Sequence, residues 1–80
     1  MSRADSIYRQ IKVSINNISF KDLCYLVEKV GFIWRRTSGD HRIYKHPYIK
    51  KIINLQPDKN KAKPYQVQQV LDIVEEHELL

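Results

Sequence analysis

The chain has little of what most catalytic scaffolds are recognised by. Its 80 residues include one cysteine, Cys24, so an internal disulfide and any four-thiolate zinc site are excluded. Only two glycines are present, and neither belongs to a phosphate-cradling loop or a dinucleotide-binding turn. An HExxH pair is missing, as are zinc-finger spacing, basic-zipper heptads, and a serine or cysteine nucleophile with local support. No apolar run approaches the roughly 20 residues of a membrane helix, so no membrane role is expected. The start, "MSRADSIYRQIKV", has no continuous apolar core of a secretory leader. A reducing, cytoplasmic setting is the expectation that accounts for these features together.

Acidic residues are scarce where basic ones gather. Residues 35–63 carry nine Lys or Arg against Asp40 and Asp58, net +7. Residues 64–80 carry Asp72, Glu75, Glu76 and Glu78 with no Lys or Arg, net −4. A basic middle on a small domain attracts polyanions, of which nucleic acid is the most abundant in a cell. The plainer alternative is a solvated lysine-rich surface.

The pattern of apolar residues predicts an α+β domain. Ala4, Ile7, Tyr8 and Ile11 fall at helical spacing behind a Ser2–Asp5 capping box, a helix over residues 1–15. Leu23, Leu26, Val27 and Val30 form a second stripe, with Ser19 as cap, Ile18 as staple and Gly31 as left-handed stop. Cys24 lies beside that stripe and reads as a small buried hydrophobe. "FIWRRT" and "HRIYKH" are strand-like around the short "SGD" loop, and "KKIINLQ" (50–56) is a third strand ended by Pro57. "DKNKAK" reads as a polar loop. Pro64 opens a last helix with Val67, Val70, Leu71 and Val74 on one side, running to about Leu80. Glu75, Glu76 and Glu78 conflict with the dipole at its end, which implies fraying or a complementary partner. The order is α-α-β-β-β-α: a three-stranded antiparallel sheet with helices on one face. Ile43 and Tyr44 are adjacent and both apolar, so the pattern alone does not say which sheet face is buried.

One histidine stands out. His41 follows the Gly39–Asp40 turn, and imidazole can give and take protons near neutrality. Nearby Arg36, Arg42 and Lys45 are candidate phosphate contacts. A base beside a bound phosphodiester is the minimum needed for a ribose 2′-hydroxyl to attack its own phosphate. His46 is an odd step from His41, so the two rings face opposite ways and do not grip one metal; no metal or other cofactor is expected. His77 reads as a solvated helix residue. Trp34 and Tyr44 alternate with basic side chains, and each reads as core before it reads as a base-stacking platform.

At these residues a family resemblance enters. "GFIWRRTSGDHRIYKHP" resembles the stretch of HicA-type toxins in which an aromatic strand, a Gly-Ser-His turn and "Y-x-H-P" follow one another. "NISFKDLCYLVEKVGF" and "INLQPDKNKAKPYQVQQVLDIVEE" are similar to the family's preceding helix and its closing strand, loop and helix. The resemblance implies one HicA-like domain over 1–80, with 1–15 as an extension and 19–80 as a double-stranded-RNA-binding-domain-like core. It further implies a messenger-RNA endoribonuclease restrained by a HicB-type antitoxin, with His41 catalytic and Gly39 in the supporting turn. Asp40 departs from the family's serine and sets a carboxylate beside the base. Two other readings share these residues: a non-catalytic RNA-binding module, and an antitoxin-binding protein without nuclease activity.

Overall fold

The computed structural model describes residues 2–80. Helix α1 (Arg3–Val13) starts at the expected capping box, Ser2 accepting from the Asp5 amide at 3.1 Å, and stops two residues short of the expected boundary. Helix α2 (Phe20–Lys29) is capped by Ser19. It ends in a Schellman pair, in which Phe32 N–H donates to Val27 O and Gly31 N–H to Glu28 O, with Gly31 at φ 105°. Leu23, Leu26 and Val27 are fully buried, each contributing roughly 1.5–3 kcal/mol of apolar transfer.

Strands β1 (Ile33–Ser38), β2 (His41–Lys45) and β3 (Ile52–Leu55) form an antiparallel meander in that order. The register pairs Ser38 with His41, Arg36 with Ile43, and Tyr44 with both Trp34 and Ile53, with an irregularity between Trp34 and Arg36. Tyr44, Ile53 and Leu55 are buried under the helices, so this is the core face. Tyr44 settles the ambiguity with Ile43 because its hydroxyl has a partner inside: it donates to Glu28 Oε2 at 2.9 Å. Ile43 has no polar end to satisfy and lies half-buried on the other face.

Two expectations are corrected. "DKNKAK" is not a featureless loop but a tight hairpin, β4 (Pro57–Asp58) paired with β5 (Lys61–Ala62). Its central residues Lys59 and Asn60 both have positive φ, as a primed hairpin turn requires. This hairpin closes the start of α2: Asn60 O accepts from Phe20 N–H, and Ile18 O accepts from Ala62 N–H at 2.7 Å. An otherwise orphan helix donor is thereby satisfied. Helix α3 (Pro64–Glu76) ends at Glu76 rather than Leu80. A second Schellman pair closes it, Leu79 N–H to Val74 O and Glu78 N–H to Glu75 O, and this forces Glu78 to φ 51°. Leu79 packs back on the core, and Tyr8 of α1 donates to Glu75 at 3.3 Å. The acidic end is thus folded back and partly bonded. The principal order α-α-β-β-β-α, with helices on one face of a three-stranded sheet, is as expected and is that of a double-stranded-RNA-binding-domain-like fold.

Candidate active site

The turn between β1 and β2 is two residues long, Gly39 at φ 63° and Asp40. Because His41 is three residues from the buried Tyr44, an odd step, its side chain leaves the strand on the open face, at the end of the sheet where it pairs with Ser38. Its Nδ1 lies 2.8 Å from Oδ1 of Asn54 on β3. A carbonyl oxygen only accepts, so Nδ1 carries the proton and the neutral ring keeps a lone pair on Nε2. That nitrogen stands 3.9 Å from Asp40 Oδ1, beyond hydrogen-bond reach, and the side chain is 39% exposed. An unengaged basic nitrogen on a fixed, accessible ring is the arrangement a proton acceptor needs.

Asp40 is itself restrained. Gln56 Nε2 donates to the same carboxylate oxygen at 3.2 Å, and Lys63 Nζ donates to Gln56 Oε1 at 2.6 Å. The Gln56 backbone N–H is held by the buried Gln66. A relay from the start of α3 therefore reaches the turn, drawing the carboxylate toward a lysine-backed amide.

The basic residues separate by strand parity. Arg36 lies on the open face opposite Ile43, two register positions from His41, and Lys45 lies on the same face at the far end of β2. Arg42 does not join them. It pairs with Leu55 on the core face, where its guanidinium sits 4.0 Å from the Trp34 ring centroid and 5.4 Å from that of Phe20. Burial opposes its charge, yet Tyr44, Cys24 and Glu28 hold its proton more tightly than usual. Burial likewise pushes the Cys24 thiol and the Tyr44 phenol up, away from ionisation. Trp34 is 46% exposed, with its indole N–H donating to Thr37 and Arg36 O, so it serves as a lid on Arg42.

His46 lies on the opposite side from His41, as the odd spacing predicts. Its Nδ1 accepts from Tyr48 N–H at 3.1 Å and its Nε2 donates to Val30 O at 3.3 Å. Both nitrogens are engaged, Nε2 tying the end of β2 to the end of α2 and Nδ1 fixing the loop that follows β2. Sequence reasoning missed Asn54, Gln56 and Lys63. The signal for Asn54 was present: a polar residue between Ile53 and Leu55 marks the solvent side of a strand.

The model of a family described as the HicA toxin of bacterial toxin–antitoxin matches residues 20–75, from the first residue of α2 almost to the end of α3. Neither the curated proteins nor the solved structures contain a match.

Proposed function

The chain belongs to the HicA toxin family of bacterial toxin–antitoxin systems, and on that premise we propose that it is an endoribonuclease acting on messenger RNA, with His41 as its acid–base group. Nε2 of His41 takes the proton of a ribose 2′-hydroxyl. The resulting oxygen attacks the adjacent phosphorus, the bond to the 5′-oxygen breaks, and that oxygen leaves with a proton returned from the imidazolium or solvent. The products are a 2′,3′-cyclic phosphate and a free 5′-hydroxyl. Nucleophile and leaving group both come from the substrate, so the scheme requires no metal or other cofactor.

Within this reading Asn54 is a positioning residue that fixes the ring tautomer, and Arg36 and Lys45 hold the phosphates. Arg42 shapes the turn from beneath through its stack with Trp34 and Phe20. Asp40, where the family has serine, stands 3.9 Å from Nε2, and activity survives that departure in altered form. Residues 19–80 are the working core, and α1 is an extension that covers α2 and α3. A HicB-type antitoxin is the partner.

The observation that carries the proposal is the His41–Asn54 bond, which leaves Nε2 free on an accessible ring. Expression of the parent should arrest growth, and His41→Ala should relieve the arrest while the protein remains folded, its melting temperature falling by no more than the loss of one hydrogen bond implies. Purified parent should cut RNA in EDTA. Undiminished cutting by His41→Ala, or loss of cutting on chelation, refutes the mechanism. Robust cutting by Asp40→Ser from a parent that cuts nothing would identify a decayed toxin.

A further inference from the structure

Beyond the end of β2 the chain forms a concavity of about 420 Å³, lined by Lys45, Tyr48, Lys50, Lys51 and Ile52 with His46 at its back. That volume is within the ~300–1,000 Å³ range of ligand clefts. No acidic residue lines it. Tyr48 is 91% exposed and Ile52 57%, which is much apolar surface for residues with no packing role. The loop itself is not slack: His46 holds the Tyr48 backbone N–H, and Ile49 packs against the core. The backbone is therefore fixed while the phenol ring stands out into solvent, touching the fold only through a tilted approach to His46 with ring centroids 6.1 Å apart.

We infer that this concavity is a subsite for one unpaired nucleotide of an RNA strand, its base against Tyr48 and Ile52 and its phosphate between Lys45 and Lys50. The inference rests on the ribonuclease reading and extends it. Three features favour an RNA strand. Lys45 belongs both to this concavity and to the open face that carries His41 and Arg36, so the basic track is continuous. His41 and Lys45 are four residues apart, ~13 Å along the strand, so the subsite lies roughly two nucleotide steps of an extended strand from the scissile bond. Finally, an exposed ring flanked by cations stacks well on any unpaired base, whereas the bases of a duplex are unavailable. Lys51 also borders a neighbouring groove containing Asp72 and Glu76, so its charge is shared and it is the lesser phosphate contact.

The test uses the full chain carrying His41→Ala, so that bound RNA stays intact, and reads fluorescence anisotropy with a labelled ten-nucleotide single strand and with an RNA duplex. Adding Tyr48→Ala should weaken single-strand binding by about five- to tenfold or more while Tyr48→Phe restores it, stacking being the lost term. Lys50→Ala should reduce the slope of log affinity against log salt by about 0.7. Duplex binding should be insensitive to Tyr48→Ala. Parental affinity in Tyr48→Ala, or a Tyr48→Phe variant as weak as Tyr48→Ala, overturns the subsite. So does an effect of these variants on an acidic protein partner with none on RNA. The two readings fail separately. If the parent cuts RNA and Tyr48→Ala binds and cuts equally well, only the subsite falls. If binding depends on Tyr48 but the parent cuts nothing, only the nuclease falls.

Discussion

Replacing Gly31 with alanine should cost this protein a large part of its stability, through two separable causes. Gly31 closes α2 at φ 105°, and a non-glycine residue in left-handed backbone costs roughly 1–2 kcal/mol. The new methyl would also stand 2.7 Å from His46 Nε2, closer than such atoms approach. The ring has little freedom to retreat. It is held on one side by the Tyr48 amide, bonded on the other to Val30 O, and set edge-on to Phe32 with centroids 4.9 Å apart. Breaking the Val30 bond adds about 0.5–1.5 kcal/mol. The total is roughly 2–3 kcal/mol, and for a domain of this size it lowers the melting temperature by about 8–24 °C. A double-mutant cycle divides the two causes. In a His46→Ala background the methyl has room, so Gly31→Ala should cost only the backbone term, with a coupling of about 1 kcal/mol between the sites. Thermal or urea unfolding of the four proteins measures it. An equal cost in both backgrounds refutes the steric account.

Three further outcomes follow from other contacts. Asn54→Ala should lower kcat about three- to tenfold with little change in KM, because the ring loses an acceptor worth about 1 kcal/mol. Asn54→Asp, which still accepts from Nδ1, should recover most of the loss, and parental kcat in the alanine variant would remove Asn54 from the site. Glu78→Gly should raise stability by about 0.5–1 kcal/mol in thermal melts, since glycine tolerates the left-handed position and the change removes a negative charge from a helix C-terminus. A lower melting temperature would contradict this. Finally, burial raises the Tyr44 phenol above its ordinary value of 10.0, so above about pH 10 the unfolded chain releases that proton while the folded chain keeps it. Stability therefore falls as pH rises through that range, and Tyr44→Phe should flatten the decline. An identical alkaline slope in the variant would count against the buried phenol as its source.

The helices were legible because their signals are local. The Ser2–Asp5 box, the Ser19 cap, the Leu23 to Val30 stripe and Gly31 each specify backbone within a few residues. The hairpin around Gly39 was legible for the same reason. What failed depended on partners distant in sequence. Which of Ile43 and Tyr44 is buried is decided by Glu28, sixteen residues before Tyr44, and the β4–β5 hairpin exists because it pairs with the entry to α2. Lys59-Asn60 lacks the glycine that announces such a turn. The stop at Glu76 was hidden because glutamate, not glycine, occupies the left-handed position at Glu78. At the candidate site His41, Arg36 and Lys45 share a face as their odd and even spacing across the register allows. Arg42 could have been excluded from that face, since adjacent strand residues point apart. Asn54 could be placed on the solvent side of β3 from its apolar neighbours, but its pairing with His41 required β3 to be set beside β2.

The five residues of β2 divide by parity: His41, Ile43 and Lys45 face solvent, while Arg42 and Tyr44 hold the sheet to the helices. Such a division makes length more dangerous than chemistry. Adding a single residue within β2, between His41 and Tyr44, would exchange the faces on one side of the insertion, turning the imidazole inward if the phenol keeps its buried place. Within β2 the spacing of the residues is therefore at least as tightly constrained as their chemistry. A longer Gly39–Asp40 bend, by contrast, leaves that alternation untouched, because β2 is also registered on β3.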